Sequence, residues 1–137
     1  MMDLPAQDWH DIPDGCAFAG LIGPVQRRAK DQQWVYGLRI LPCHMNSAGV
    51  MHGGLMTAFI DESVGSMIAE LSGRRHVTLQ LNTNFLQAVQ LGEFIEVDCE
   101  PFQSTTSMTF VQGRVLAGPR TVATMNAIFK AIRPQEK

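Results

Sequence analysis

The sequence has no apolar segment long enough to cross a bilayer, and its first residues show no basic-then-apolar pattern. We therefore expect neither a transmembrane helix nor a secretory signal peptide. Charge is also sparse: 11 Lys and Arg against 13 Asp and Glu give a net charge of −2, and no run of consecutive basic residues is longer than a pair such as Arg74-Arg75. Nucleic acid is not an expected partner, because binding it requires a basic surface.

Cysteine is scarce as well. The three cysteines, Cys16, Cys43 and Cys99, are an odd number without CxxC spacing. They predict reduced thiols in a cytoplasmic protein rather than a disulfide framework. Cys43 and His44 are neighbours, but the spacing to other potential ligands matches no familiar zinc site, so no metal is expected.

What the chain does contain is enough for one globular domain. Of its 137 residues, 45% are hydrophobic and 18% charged, a composition typical of a folded domain of this length. Residues 1–16 are polar and include two prolines, so we interpret them as an N-terminal arm, loose or forming a short helix. The domain itself is predicted to span residues 17–137.

From residue 17 onward, most of the chain consists of short β-like segments bounded by turn residues. The predicted strands are 18–22, 34–41, 76–89, 93–103, 107–117 and 121–133. One long helix is predicted at 55–71, ending at Ser72-Gly73. This order favours an α+β fold in which one antiparallel sheet wraps around a single helix.

The predicted helix has two different faces. One is a broad apolar stripe for packing against the sheet, made of Met56, Phe59, Ile60, Val64, Met67 and Leu71. The other is built of small residues, namely Gly54, Ala58, Gly65 and Ala69, with Asp61 among them. Because glycine costs roughly 1 kcal/mol in a helix interior, Gly65 indicates a close approach, either by a ligand or by the sheet. Glu62 is expected on a more open side.

A motif at the helix start resembles a known enzyme family. The pattern Asn46-x-x-Gly49-x-x-His52-Gly53-Gly54, with Asp61 nine residues after the histidine, is similar to that of hot-dog thioesterases of the phenylacetate-pathway type. The order of strands around one helix matches from about residue 18 to residue 133. The resemblance implies an acyl-coenzyme A thioesterase with no cofactor beyond the coenzyme A of its substrate.

The resemblance also implies roles for individual residues. The Gly53 N–H polarises the thioester carbonyl, His52 supports that site, and Asp61 is general base or nucleophile. Asn46 holds either the water or the loop. The strand after the helix is similar to the family pattern S/T-x-x-x-N-x-x-F/Y, which places Thr78 beside the catalytic water; as sequence alone, Thr78 is an ordinary strand residue.

Helix geometry restricts where these groups can meet. Amides at a helix start are unpaired and lie at the positive end of the dipole, so Gly53 and Gly54 are natural donors. Asp61 lies eight positions beyond Gly53, about 12 Å along a helix, which an aspartate side chain cannot span. We therefore expect the site to be shared between antiparallel helices of a two-fold homodimer. The resemblance adds a possible dimer of dimers.

Candidates for the rest of the substrate are less specific. Arg74, Arg75 and the turn containing Ser104, Thr105 and Thr106 could bind the phosphates of coenzyme A, although exposed arginines are often only solvated charges. Met51, Leu55, Phe59 and Phe85 could line an acyl pocket or simply be core. The sequence does not distinguish among aromatic, medium-chain and hydroxylated acyl groups.

Two alternatives remain. A hot-dog dehydratase or hydratase would resemble a histidine in a Pro-Gly-rich loop, or an Asp-x-Asn-Pro-x-His segment, and neither occurs here. A non-catalytic acyl-CoA-binding or regulatory protein would be expected to lack the acidic helix residue or to contain a DNA-binding element. Asp61 is present, and no helix-turn-helix segment is recognised.

Overall fold

The computed structural model describes residues 9–12 and 17–134. Within these ranges, seven strands form a single antiparallel sheet, β1 His10–Asp11, β2 Val25–Lys30, β3 Gln33–Arg39, β4 His76–Phe85, β5 Phe94–Ser104, β6 Met108–Ala117 and β7 Arg120–Ala131. The helices are α1 Ala17–Ile22 and α2 Gly53–Ser72, with a 3₁₀ turn at Pro42–His44. The strand order is β1-β2-β3-β5-β6-β7-β4, so β4 and β1 are the two edges.

Helix α2 packs its apolar face against the sheet, as predicted. Its buried residues are Met56, Phe59, Ile60, Ser63, Val64, Met67 and Ile68. The helix ends at Gly73, which adopts a left-handed conformation (φ 71°) and donates its N–H to Ala69 O. Leu71 does not belong to the buried stripe: it is 48% exposed, because it lies in the last turn.

Gly65 faces the sheet rather than a ligand cavity. A β-carbon there would lie 3.5 Å from the Phe129 ring of β7. That is an ordinary van der Waals distance, so the helix–sheet contact at this position does not require a glycine.

The first predicted strand is wrong. Residues 18–22 lie in helix α1, and the strand that precedes β3 is β2, whose residues Val25–Lys30 pair with β3 in an antiparallel ladder. Six apolar residues do not distinguish a strand from a short helix by periodicity alone. The charged sequence of β2 gives little strand signal, and its pairing with β3 determines its conformation.

Part of the predicted N-terminal arm joins the sheet. His10 and Asp11 pair with β2, and Trp9 is buried in edge-to-face contact with Phe94, with 4.9 Å between ring centroids. Gly37 makes room, since a β-carbon there would lie 2.5 Å from Phe94 and 3.0 Å from Trp9. Residues 1–8 and 13–16, including Cys16, lie outside the described residues.

The other predicted elements are confirmed with small changes at their ends. The largest difference is in β4, which ends at Phe85 rather than at residue 89. Residues 86–89 instead pass beside the start of α2, where Met51 N–H donates to Val89 O at 2.8 Å. No helix among the described residues is long and apolar enough to span a membrane.

Candidate active site

The loop before helix α2 is closed by Asn46. Its side-chain Oδ1 accepts hydrogen bonds from Ala48 N–H (2.9 Å) and Val50 N–H (3.2 Å). The Asn46 N–H donates to Val50 O at 2.8 Å, and Gly49 turns the chain with a φ of 85°, a conformation that favours glycine. Of the two roles considered for Asn46, the geometry supports holding the loop.

His52 caps the first turn of α2. Its Nδ1 accepts a 2.8 Å hydrogen bond from Gly54 N–H, so the neutral ring carries its proton on Nε2. Gly54 must be small here, because a β-carbon would lie 2.8 Å from His52 Cε1. The Gly54 amide, expected as a substrate donor, is thus engaged within the chain.

The amide of Gly53 stays available at the positive end of the helix. No acceptor for it is found among residues 9–12 and 17–134. The Phe85 ring lies beside it, 3.6 Å from the position of an added β-carbon. The Gly53 N–H and the His52 Nε2–H are therefore two donors that a developing negative charge could use.

Asp61 is oriented by the neighbouring strand. Thr78 Oγ1 donates a 2.6 Å hydrogen bond to Asp61 Oδ1, bringing together two residues predicted on different elements. Asp61 is partly buried, and Thr78 is exposed on edge strand β4. A carboxylate fixed through one oxygen and open at the other is suited to accept a proton from water or to attack an electrophile.

Glu62 adds a second carboxyl group next to Asp61. Burial, and then the nearby Asp61 carboxylate, raise the pKa of Glu62 above its ordinary value. The repulsion between the two neighbouring carboxyl groups thus adds to the effect of burial at Glu62.

A cavity lies beside the start of α2. Its volume is about 270 Å³, and its walls are Val50, Met51, Gly53, Met56, Phe85, Leu86, Gln87, Ala88 and Val89. Met51 and Phe85 were predicted to line an acyl pocket, whereas Met56 and residues 86–89 were missed, because their proximity depends on the path of the chain after β4. Phe59 is fully buried core, and Leu55 packs against the core.

The residues considered for phosphate binding partly converge. Arg74 Nη1 donates to Thr106 O at 3.1 Å, which joins the end of α2 to the β5–β6 turn. Thr105 Oγ1 accepts from Met108 N–H at 3.0 Å, so its hydroxyl helps to shape the turn. Arg75 and Ser104 are exposed.

A larger depression of about 560 Å³ lies elsewhere, on β5, β6 and β7. Its walls include Asp98, Glu100, Gln112, Arg114, Thr124 and Asn126. None of the predicted site residues lines it. The smaller cavity is the relevant one, because it contains the helix-start amide.

Residues 48–124 match the profile of the family described as the thioesterase superfamily. The chain belongs to the thioesterase superfamily. The matched residues include His52, Gly53, Asp61 and Thr78, so the family region contains the site described above. The chain is accordingly a thioester hydrolase.

Similar sequences and solved structures are consistent with this family assignment. This thioesterase is 30% identical over 132 residues to a Pseudomonas aeruginosa protein provisionally named an esterase, covering 94% of this chain and 98% of the relative. The Escherichia coli PaaI protein of the phenylacetic acid degradation operon has a TM-score of 0.79 at 14% identity, over 88% of this chain and 87% of its own. A hypothetical thioesterase of Streptococcus pneumoniae, solved with coenzyme A, has a TM-score of 0.72 at 20% identity, over 78% and 87%. The fold is the hot-dog fold, as expected.

Proposed function

We propose that this thioesterase hydrolyses acyl-coenzyme A to a free acid and coenzyme A at sites shared between two subunits. The observation that carries the proposal is the placement of Asp61, held by Thr78 at 2.6 Å, eight positions beyond the unpaired amide of Gly53 on one continuous helix. That separation is about 12 Å along the helix axis. A reacting carbon must lie about 3 Å from both the attacking atom and the oxyanion donors.

A second subunit resolves this separation. If two copies of α2 run antiparallel about a two-fold axis, Asp61 of one subunit faces Gly53 of the partner subunit, and two equal sites form. Edge strand β4 supports this arrangement, since Val77 and Leu79 are 44% and 52% exposed in the single chain. The proposed assembly is at least a dimer, with a dimer of dimers as its larger form.

The proposed chemistry follows from the groups present. The carbonyl oxygen accepts hydrogen bonds from Gly53 N–H and His52 Nε2–H, which stabilise the negative charge that develops there. Asp61 removes a proton from water as the water oxygen bonds to the carbonyl carbon. The C–S bond then breaks, and the proton passes to the coenzyme A thiolate. In the other version, an Asp61 oxygen bonds to the carbonyl carbon and the C–S bond breaks, which releases the coenzyme A thiolate and leaves a mixed anhydride. Water then hydrolyses the anhydride to the free acid and the Asp61 carboxylate, and its proton neutralises the thiolate.

The two ends of the substrate have separate places. The cavity of about 270 Å³ is lined mainly by apolar side chains, which favours an uncharged aromatic or medium-chain acyl group. Arg74 lies between the end of α2 and the start of β4, on the side of Asp61 and Thr78 away from the helix start, and would meet the phosphates of coenzyme A. The proposed reaction uses no cofactor beyond the coenzyme A that the substrate carries.

Thiol release from a panel of acyl-CoAs tests the proposal. Wild-type protein should turn over aromatic or medium-chain substrates, whereas Asp61→Asn should lose about 10²-fold or more in kcat. Asp31→Asn is the matched control, because Asp31 is exposed in the β2–β3 turn with a φ of 51°, which asparagine accepts. Coenzyme A binding without turnover, or full activity in Asp61→Asn, contradicts the proposal.

Mixed dimers test the shared site directly. A chain with Asp61→Asn and a chain with His52→Ala each contribute one damaged half, so their verified heterodimer should regain one intact site. We expect up to half of the wild-type kcat per dimer. A heterodimer no more active than its parents contradicts the shared geometry. Single turnover in ¹⁸O-water detects direct attack when the water opens the anhydride at the Asp61 carbonyl, because ¹⁸O then remains in the Asp61 carboxylate. Water activated by Asp61 places ¹⁸O only in the free acid.

A further inference from the structure

His44 is a buried residue at the junction of several segments, and it is 4% exposed. Leu41 N–H donates to His44 Nδ1 at 3.0 Å, while His44 Nε2 lies 2.7 Å from the main-chain oxygen of Ile22. An amide N–H can only donate and a carbonyl oxygen can only accept. Both bonds therefore require the neutral ring with its proton on Nε2.

The main chain of His44 extends this network to the helix start. Its carbonyl oxygen accepts the N–H of His52 at 2.9 Å, and its own N–H donates to Leu41 O at 2.9 Å. On the other side, Met51 N–H is held by Val89 O at 2.8 Å. The entry to α2 is thus fixed from two directions, and the His44 ring ties one of them to the end of α1.

We propose that His44 is a positioning residue for the thioester site. It holds the main chain of His52, and through it the direction of the Gly53 N–H and of the capping imidazole. Catalysis is sensitive to such placement, since a displacement of about 1 Å can cost on the order of 10²-fold in rate. This inference rests on the proposed function, because it assigns His44 to the same donors.

Two substitutions separate the two ring contacts. His44→Asn can offer an acceptor to Leu41 N–H but cannot reach Ile22 O, whereas His44→Gln can reach Ile22 O but changes the local turn. We expect kcat to fall about tenfold or more in both variants, with KM changed less than about twofold. If the His44 hydrogen bonds only stabilise the fold, their loss would lower the thermal midpoint without affecting the kcat of the folded protein.

A destabilised variant far from the site provides the control. Val115 is fully buried in β6, so Val115→Ala should lower Tm by leaving a cavity while kcat, measured well below Tm, stays at the wild-type value. If the His44 variants lose no more kcat than Val115→Ala at a matched loss of Tm, His44 is only structural and the inference is wrong.

A spectroscopic measurement on the wild-type protein requires no substitution. Long-range ¹H–¹⁵N spectra should show His44 with a protonated Nε2 and an unprotonated Nδ1. A proton on Nδ1 would overturn the inference even if the variants fail to fold. The two proposals fail separately: a wild-type protein without thioesterase turnover contradicts the proposed function, whereas unchanged kcat in both His44 variants of an active enzyme contradicts only the role of His44.

Discussion

Thr78 of edge strand β4 donates a hydrogen bond to Asp61 in the middle of helix α2, with 2.6 Å between Thr78 Oγ1 and Asp61 Oδ1. The contact engages one carboxylate oxygen, and in the proposed mechanism the other oxygen acts on water or on the substrate. It also connects the carboxylate to the strand whose outer edge is open. The position of the proposed base therefore depends on how β4 lies against the helix.

Replacing Thr78 tests this contact. Thr78→Val keeps the shape of the side chain but removes the donor. We expect transition-state stabilisation to fall by about 1 kcal/mol, which lowers kcat roughly fivefold. Thr78→Ser retains the hydroxyl and should stay within about threefold of wild type. Steady-state kinetics on the best acyl-CoA substrate measures both. Equal activity of the valine and serine variants would show that the contact has no catalytic role.

Two helix glycines should respond oppositely to alanine. In Gly54→Ala, the β-carbon would lie 2.8 Å from His52 Cε1, displacing the ring, and we expect a clear loss of kcat in a folded protein. In Gly65→Ala, the β-carbon meets Phe129 at an ordinary 3.5 Å. The gain in helix propensity should then stabilise the protein by roughly 0.5–1 kcal/mol. Denaturant unfolding and kinetics on both variants check the contrast, and a Gly65→Ala variant less stable than wild type would contradict it.

Glu93 should contribute to the loss of stability as the pH becomes acid. The hydrogen bond from Gln90 N–H, together with the Arg120 ion pair, lowers the pKa of Glu93 below its ordinary value of 4.5. A carboxyl group with a lowered folded-state pKa stabilises the fold above its unfolded-state pKa, and this stabilisation is lost as pH falls through the folded-state value. Thermal unfolding from pH 7 to pH 3 should show a smaller acid-dependent loss in Glu93→Gln. Parallel curves for the two proteins would contradict this.

The cysteines should differ sharply in reactivity. Burial, and then the charges of Asp98 and Glu100, raise the pKa of the Cys99 thiol to about 12, whereas Cys43 is exposed. In a Cys16→Ser background, a thiol reagent should modify Cys43 in the native protein and Cys99 only after unfolding. Two fast-reacting thiols in that background would show that Cys99 is accessible. A Cys43→Ser chain also gives a cleaner thiol-release assay.

Local patterns were sufficient for the helix and the four strands after it. The apolar period of residues 55–71, ended by Ser72-Gly73, specified α2, and turn residues separated β4 to β7. Local patterns were not sufficient for α1 and β2. A six-residue apolar segment such as α1 is compatible with a helix or a strand, and Val25–Lys30 becomes a strand only through pairing with β3. No local signal could reveal either conformation.

The site was predictable to the extent that it resides in one segment. Asn46, His52, Gly53 and Asp61 were identifiable from their spacing and its family resemblance. The hydrogen bond between Gly54 N–H and His52 Nδ1 was not, because it depends on the rotamer of the ring. His44 was also missed as a contributor, since its partner Ile22 lies 22 residues away in an element assigned to the wrong class.

If the proposed dimer forms through β4, the open edge of this strand has a consequence for a subunit that loses its partner. Among the described strands, none lies beyond β4, and an unpaired edge carrying apolar side chains can recruit any extended polypeptide, including an incompletely folded copy. A lone subunit would thus be exposed to aggregation as well as inactive. Two properties would then have the same origin in the exposed edge of β4. One is the loss of activity on dilution, and the other is the formation of insoluble protein during refolding.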